Sequence, residues 1–452
     1  MNTQASQVRC PYFQTDFEAG EFVTRRTRVM EGMGRKGMAV IGGAAESPGF
    51  DPFRQTNDFY YLCGVEVPHA YLLMDAEKGV STLYLPGRDA KHEERDGPML
   101  CAEDGEFAEA RTGVDEVKLL PTLPADLQGH RCVYVPHGEG EGARMCQDTL
   151  RRRRQCMAAD PMAGRTPGLE LLTRVAEICP GASLHDLSPI VQRLRLIKSE
   201  PEIRVLRRAG KLAALAVTEA MRNTKAGMYE YQFGAVADYV FLNHGARGSG
   251  YRSIIATGEN IWMMHYWRNN TRLRNGEWVL MDYAPDVNNY TSDIGRMWPV
   301  NGTYSAVQRE LYGFVVEYHK VLLSLIRPGV WPEQILHEAA ERMRPRMESW
   351  GFSKEIYREG ARQLLASKRP LSHGVGMAVH EATGYFGRPL EVGTVFAVDP
   401  ELVVPEEKLY IRCEDTVAVT EKGMENLTAP APLELSDVEA AMKEPKGLGR
   451  YV

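Results

Sequence analysis

The chain has no CxxC pair. Its eight cysteines are scattered through 452 residues, which excludes a thiolate zinc site and a disulfide framework; they read as reduced, mostly buried thiols. No apolar run reaches the ~18 residues that a membrane helix needs. Positive charge is not in excess. The formal net charge of −6 argues against a nucleic-acid surface. The only dense basic run is RRRR, Arg151 to Arg154, and a solvated helix face accounts for it. The opening residues, MNTQASQVRCPYF, contain no h-region, so no secretory signal is expected. A cytoplasmic location is the default, with no membrane and no nucleic acid as partner.

What is present is enough chain for two domains. The first part, to about Leu187, alternates short apolar runs with segments rich in helix formers. GMAVIGG, AYLLMDA, STLYLPG and RCVYVPHG are the strand-like runs, and the alternation predicts an α/β domain over residues 1–187. A boundary follows, and residues 188–452 form a second domain. Ser199 and Glu202 make an S-x-x-E capping box with Pro201 in the first turn. Ile203, Leu206, Ala209, Ala213, Val217 and Ala220 then recur at helical spacing, predicting a long amphipathic helix. A second helix is predicted from Ser305, with Gln308 at the matching cap position and a stop at Pro328-Gly329.

A weak internal repeat runs through the second domain. LRNGEWVLMD and LEVGTVFAVD share the frame L-x-x-G-x-x-x-x-x-D, ending at Asp282 and Asp399. A histidine precedes each, His265 and His380, and an acid follows on the next strand-like run, Asp293 and Glu414. The agreement of frame, histidine, acid and preceding helices predicts two related helix-then-sheet halves. Within VLMDYAPDVNNYTSDIG a turn near Val287-Asn288 makes Asp282 and Asp293 cross-strand partners, their β-carbons about 5 Å apart. Carboxylates that close repel, and one must gain a proton unless a cation lies between them. Asp286 sits inside the turn and takes a local structural role. SHGVGMAVHE adds His373 and His380 among small apolar residues.

These segments resemble the pita-bread dinuclear metallopeptidases, the family of aminopeptidase P and prolidase. The resemblance runs from about Asp186 to Thr428. It rests on MDYAPDVNNYTSDIGRMWPVNG, SHGVGMAVHE, LEVGTVFAVDP and IRCEDTVAVTEKGMENLT. DPFRQTNDFYYLCGVEVPHAYLLM is similar to the start of aminopeptidase P chains. The resemblance implies an α/β N-terminal domain plus an α+β pita-bread catalytic domain with two pseudo-symmetric halves. It implies Asp282, Asp293, His373, Asp399 and Glu414 as ligands of two divalent ions, with Asp293 and Glu414 bridging. Manganese is the first expectation, with cobalt, iron and zinc open. His265, His380 and Arg412 would contact substrate or orient the ligands, and Asp399 would shuttle the proton. The chain departs from the family's pattern at three places. Asp399 replaces a glutamate, shortening reach by roughly 1.5 Å. Glu401 replaces a glycine, and Arg369 replaces a histidine.

The expected function is metal-dependent hydrolysis of a peptide bond before proline, by an Xaa-Pro aminopeptidase acting on small peptides. Relatives usually associate, so a homodimer or higher oligomer is expected. Two other readings stand beside it. One is a lyase-like or amidohydrolase-like enzyme on a small molecule; the other is a binding protein that has lost catalysis.

Overall fold

The computed structural model describes residues 13–47, 50–381 and 384–444. Residues 1–12, which carry most of the stretch read for a secretory signal, lie outside them. Among the described residues seven cysteines are free thiols, and no helix is long and apolar enough to cross a membrane. The chain divides into two compact units, Met1–Arg195 and Leu196–Val452.

The first unit is built on a six-stranded sheet. The four apolar runs form β1 (Met38–Gly42), β2 (Tyr71–Asp75), β3 (Val80–Leu85) and β5 (Cys132–Val135). Two further strands, β4 (Glu116–Leu119) and β6 (Ser183–Asp186), complete the order β4-β3-β2-β1-β5-β6. These two lie at the sheet edges and are half exposed, so they lack the apolar signature that betrays an inner strand. Val40, Leu73, Tyr84, Val133 and Val135 bury one face against Leu123, Leu127 and Val175. Each such side chain contributes about 1.5–3 kcal/mol on burial. The basic run lies exposed on the helix Gln147–Ala159, where Arg151 and Arg153 pair with Asp148 and Glu139.

The second unit opens with the helix Glu200–Asn223. Its capping box forms as expected: the Ser199 amide donates to Glu202 at 3.0 Å and the Glu202 amide to the Ser199 hydroxyl at 3.5 Å. Ile203, Leu206, Ala209, Ala213, Val217 and Ala220 are all buried. The helix Ala306–Leu325 is capped the same way by Ser305 and Gln308. It ends at Leu325, three residues earlier than the proline-glycine stop, in an extended Ile326.

Seven strands make the second sheet: β7 (Ile254–Thr257), β8 (Trp278–Asp282), β9 (Ile294–Pro299), β10 (Leu371–Gly374), β11 (Val395–Val398), β14 (Glu414–Thr420) and β15 (Gly423–Asn426). The order is β10-β11-β14-β9-β8-β7, with β15 paired to β14. Two more, β12 (Glu401–Val404) and β13 (Leu409–Arg412), form a separate hairpin. The repeat is thus real in space. β7-β8-β9 and β10-β11-β14 mirror each other about the β9–β14 contact. That contact spans only Glu414 opposite Gly295 and Asp415 opposite Ile294.

Candidate metal centre

Each half delivers its acids at strand ends beside this contact. Asp282 is the last residue of β8 and Glu414 the first of β14; Asp293 immediately precedes β9 and Asp399 immediately follows β11. The reversal after β8 is centred on Asn288-Asn289, both in the left-handed region with φ of 50° and 68°. Val287 and Tyr290 pair across it. This is one residue later than the turn expected from the sequence, so Asp282 lies opposite Gly295 rather than Asp293. A two-residue shift preserves the face of a strand, and the two aspartates still converge. Asp286 accepts the Asn289 amide at 2.8 Å, the local turn role expected of it.

The Tyr251 hydroxyl joins the pair, 2.7 Å from Asp282 Oδ1 and 2.9 Å from Asp293 Oδ1. Arg412 Nη2 donates to Asp282 Oδ2 at 2.8 Å and also to Glu414 Oε2. Its Nε lies 3.4 Å from Asp399 Oδ1. His373 Nε2 is 3.4 Å from Asp293 Oδ2. The ring of His380 lies 3.9 Å from that of His373, and His265 lies 6.1 Å beyond His380. Two sets of donor atoms are close enough to share one cation each: Asp282, Asp293 and Glu414, and Asp293, His373 and His380. Asp293 belongs to both. Asp399 belongs to neither; its carboxylate is directed at Arg412. Arg369 pairs with Glu401 at 3.6 Å, and Glu401 stands opposite Arg412 across the β12–β13 hairpin.

Asp282, Asp293, Asp399, Glu414 and Arg412 are all buried. Burial pushes Glu414 up to about 7 despite the pull of Arg412. Burial, reinforced by Glu414 and Asp282, pushes the Asp293 carboxyl well above the usual range. Burial raises Asp399 as well, with Arg412 opposing. Burial works against the Arg412 charge, but Asp399, Glu414 and Asp282 outweigh it and hold the guanidinium protonated. One guanidinium cannot neutralise four buried carboxylates. Asp399 Oδ1 is buried without a hydrogen-bond partner. Buried oxygen donors with two imidazoles, short of positive charge, fit divalent cations.

Several supporting residues were not singled out in the sequence. The Thr416 hydroxyl accepts the Asp293 amide and donates to the Asp293 carbonyl, both at 2.8 Å. Arg296 Nη1 donates to the carbonyls of Gly295 and Glu414 across the β9–β14 contact. Its Nη2 donates to Asp415 at 2.7 Å, and Asp415 meets His319 Nε2 at 2.8 Å. Burial opposes ionisation of Asp415, but Arg296 and His319 hold its pKa below the usual carboxylate range. Glu381 Oε1 accepts the amides of Met377 and Ala378, fixing the bend that carries His373 and His380. Buried charges inside apolar strands were the available clue, Arg296 in IGRMWP and Asp415 beside Glu414.

Residues 204–421 match the model of metallopeptidase family M24, and residues 22–131 match that of the aminopeptidase P N-terminal domain. The chain belongs to metallopeptidase family M24. It is 33% identical to the Xaa-Pro aminopeptidase of Escherichia coli, over 93% of this chain and 97% of that one. It is 31% identical to human Xaa-Pro aminopeptidase 3, over 86% of this chain and 76% of that one. Zinc-substituted aminopeptidase P of Escherichia coli in complex with product superposes with a TM-score of 0.76 at 30% identity, covering 95% of this chain and 99% of that one.

Proposed function

We propose that the chain removes the N-terminal residue from short peptides whose second residue is proline. The observation that carries this reading is the convergence of Asp282, Asp293, His373, His380 and Glu414 into two donor sets with Asp293 in common. The similarity to Xaa-Pro aminopeptidases over nearly the whole chain supports it. Asp282, Asp293 and Glu414 would hold one divalent ion, and Asp293 with His373 the other. Bound there, two such ions supply a water of lowered pKa and a Lewis acid for the carbonyl.

The protein's own groups do the rest. Tyr251 stays protonated, because burial and the neighbouring Asp282 and Asp293 raise its pKa; its one hydroxyl proton is shared between the two aspartates, which both lie within hydrogen-bond distance. Arg412 orients Asp282 and Glu414. His265 and His380, their ring centroids 6.1 Å apart, would donate to the scissile carbonyl oxygen. A prolyl amide nitrogen carries no hydrogen and must gain one to leave. Asp399 is the acid assigned to that transfer: it is buried, its pKa is raised, and its Oδ1, 3.4 Å from Arg412 Nε, makes no hydrogen bond. Manganese is the metal proposed, the cytoplasm the location and a homo-oligomer the assembled form.

The test is a screen of di- and tripeptides with and without proline, with added manganese, and metal content measured after chelator-free purification. Bound metal and release of the first residue only from Xaa-Pro peptides support the reading. Bound metal with every proline peptide intact would move the assignment to other small-molecule chemistry. No metal at all would favour a binding role.

A further inference from the structure

The rim beside His265 carries a group that the reaction above does not use. Trp267 is 57% exposed. Two guanidiniums lie over its ring, Arg252 at 5.8 Å and Arg268 at 5.5 Å from the centroid. Both arginines are exposed. Among the described residues no carboxylate lies within ion-pair distance of either; other exposed arginines, such as Arg28 and Arg388, share that, and what sets this pair apart is the single exposed indole beneath both guanidiniums. An acidic protein that leaves two adjacent arginines without an acid, stacked on one exposed indole, has built an anion-receiving surface.

Its position ties it to the centre. Arg252 follows Tyr251, whose hydroxyl holds Asp282 and Asp293, and Arg252 Nη2 donates to the His265 carbonyl at 3.4 Å. Trp267 and Arg268 follow His265 by two and three residues. The indole limits the freedom of both guanidiniums, so little side-chain entropy is lost when they receive a ligand.

We infer that Arg252 and Arg268, held by Trp267, bind a carboxylate on the leaving side of the substrate, beyond the bond that is cut. This rests on the exopeptidase reading. The residue removed carries an ammonium group, which two arginines repel, and this favours an anion on the portion that departs. It can be the C-terminal carboxylate of a short peptide or an acidic side chain. The substrate class is thus peptides with a carboxylate close behind proline.

Two substrate pairs separate the sources: Ala-Pro-Ala against its C-terminal amide, and Ala-Pro-Glu amide against Ala-Pro-Gln amide. Each is assayed with the manganese-loaded wild type and with the R252Q/R268Q double variant. Binding of the product Pro-Ala and of Pro-Ala amide is measured by calorimetry, a readout that needs no turnover. The expected result is a preference for the carboxylate form of roughly five- to tenfold in KM and in product affinity, falling toward one in the double variant. A preference in the first substrate pair alone assigns the chain terminus, and in the second alone the side chain. Equal values for carboxylate and amide forms in wild type, or a preference that survives in the double variant, overturn the inference. Cleavage without preference sinks only this inference. Carboxylate-dependent product binding without any cleavage sinks only the peptidase reading.

Discussion

Asp293 is the residue on which the site turns. It lies in both donor sets, is bonded by Tyr251, and is clamped by Thr416 through its own backbone. We expect Asp293→Ala to lose both ions together and to lower turnover by orders of magnitude; elemental analysis showing full metal in the variant would contradict this. Asp399→Glu adds the methylene that the resemblance to the metallopeptidases leads one to expect at this position. It should keep or raise kcat, since a base placed nearer the reacting atoms gains in rate. A large loss would mean that the pocket has been re-tuned to the shorter acid, with the Arg369–Glu401 pair as part of the change. The acids were legible in the sequence because a charged residue closing an apolar strand stands out. Tyr251 was not, since a tyrosine before a strand looks like ordinary core. The hairpin offset was foreshadowed by Asn288-Asn289, a pair suited to left-handed backbone.

At the level of elements, the cap boxes at Ser199 and Ser305 and the apolar helix faces were readable because each is set by neighbours within a few residues. The Arg296–Asp415–His319 cluster was not, because its members are brought together only by the pairing of β9 with β14. Arg296→Met leaves Asp415 buried and half-paired. A loss of about 3–5 kcal/mol is expected in denaturant unfolding; a change under 1 kcal/mol would show that the cluster is solvated. Gly295 lies opposite Glu414, and a β-carbon there would sit 3.1 Å from Glu414 and from Arg412 Nε. Gly295→Ala should therefore weaken metal binding more than it weakens folding. The opposite ordering, in metal titration against urea unfolding, would mean that the ligand carboxylate yields freely.

At the scale of the whole molecule, stability and metal loading are linked through protons. In the metal-free protein the folded pKa of Glu414 is raised, from 4.5 to about 7. The folded state then binds a proton more tightly than the unfolded chain does. Its contribution to stability is full below about pH 4.5 and is lost as pH rises through 7. Metal-free protein should show a falling Tm across that window, while the loaded protein, with the carboxylates already deprotonated, should not. Parallel curves for the two forms would rule the linkage out.

The ladder that joins the two halves of the catalytic sheet is only two rungs long, and side chains such as Arg296 and Thr416 fasten it. Asp293 and Glu414 stand at that narrow seam, and Asp282 and Asp399 end the strands next to it. A splay too small to disturb either half alone would pull the liganding atoms apart together. Selection on such a joint should fall on the fasteners, Arg296 and Thr416, as hard as on the acids they hold.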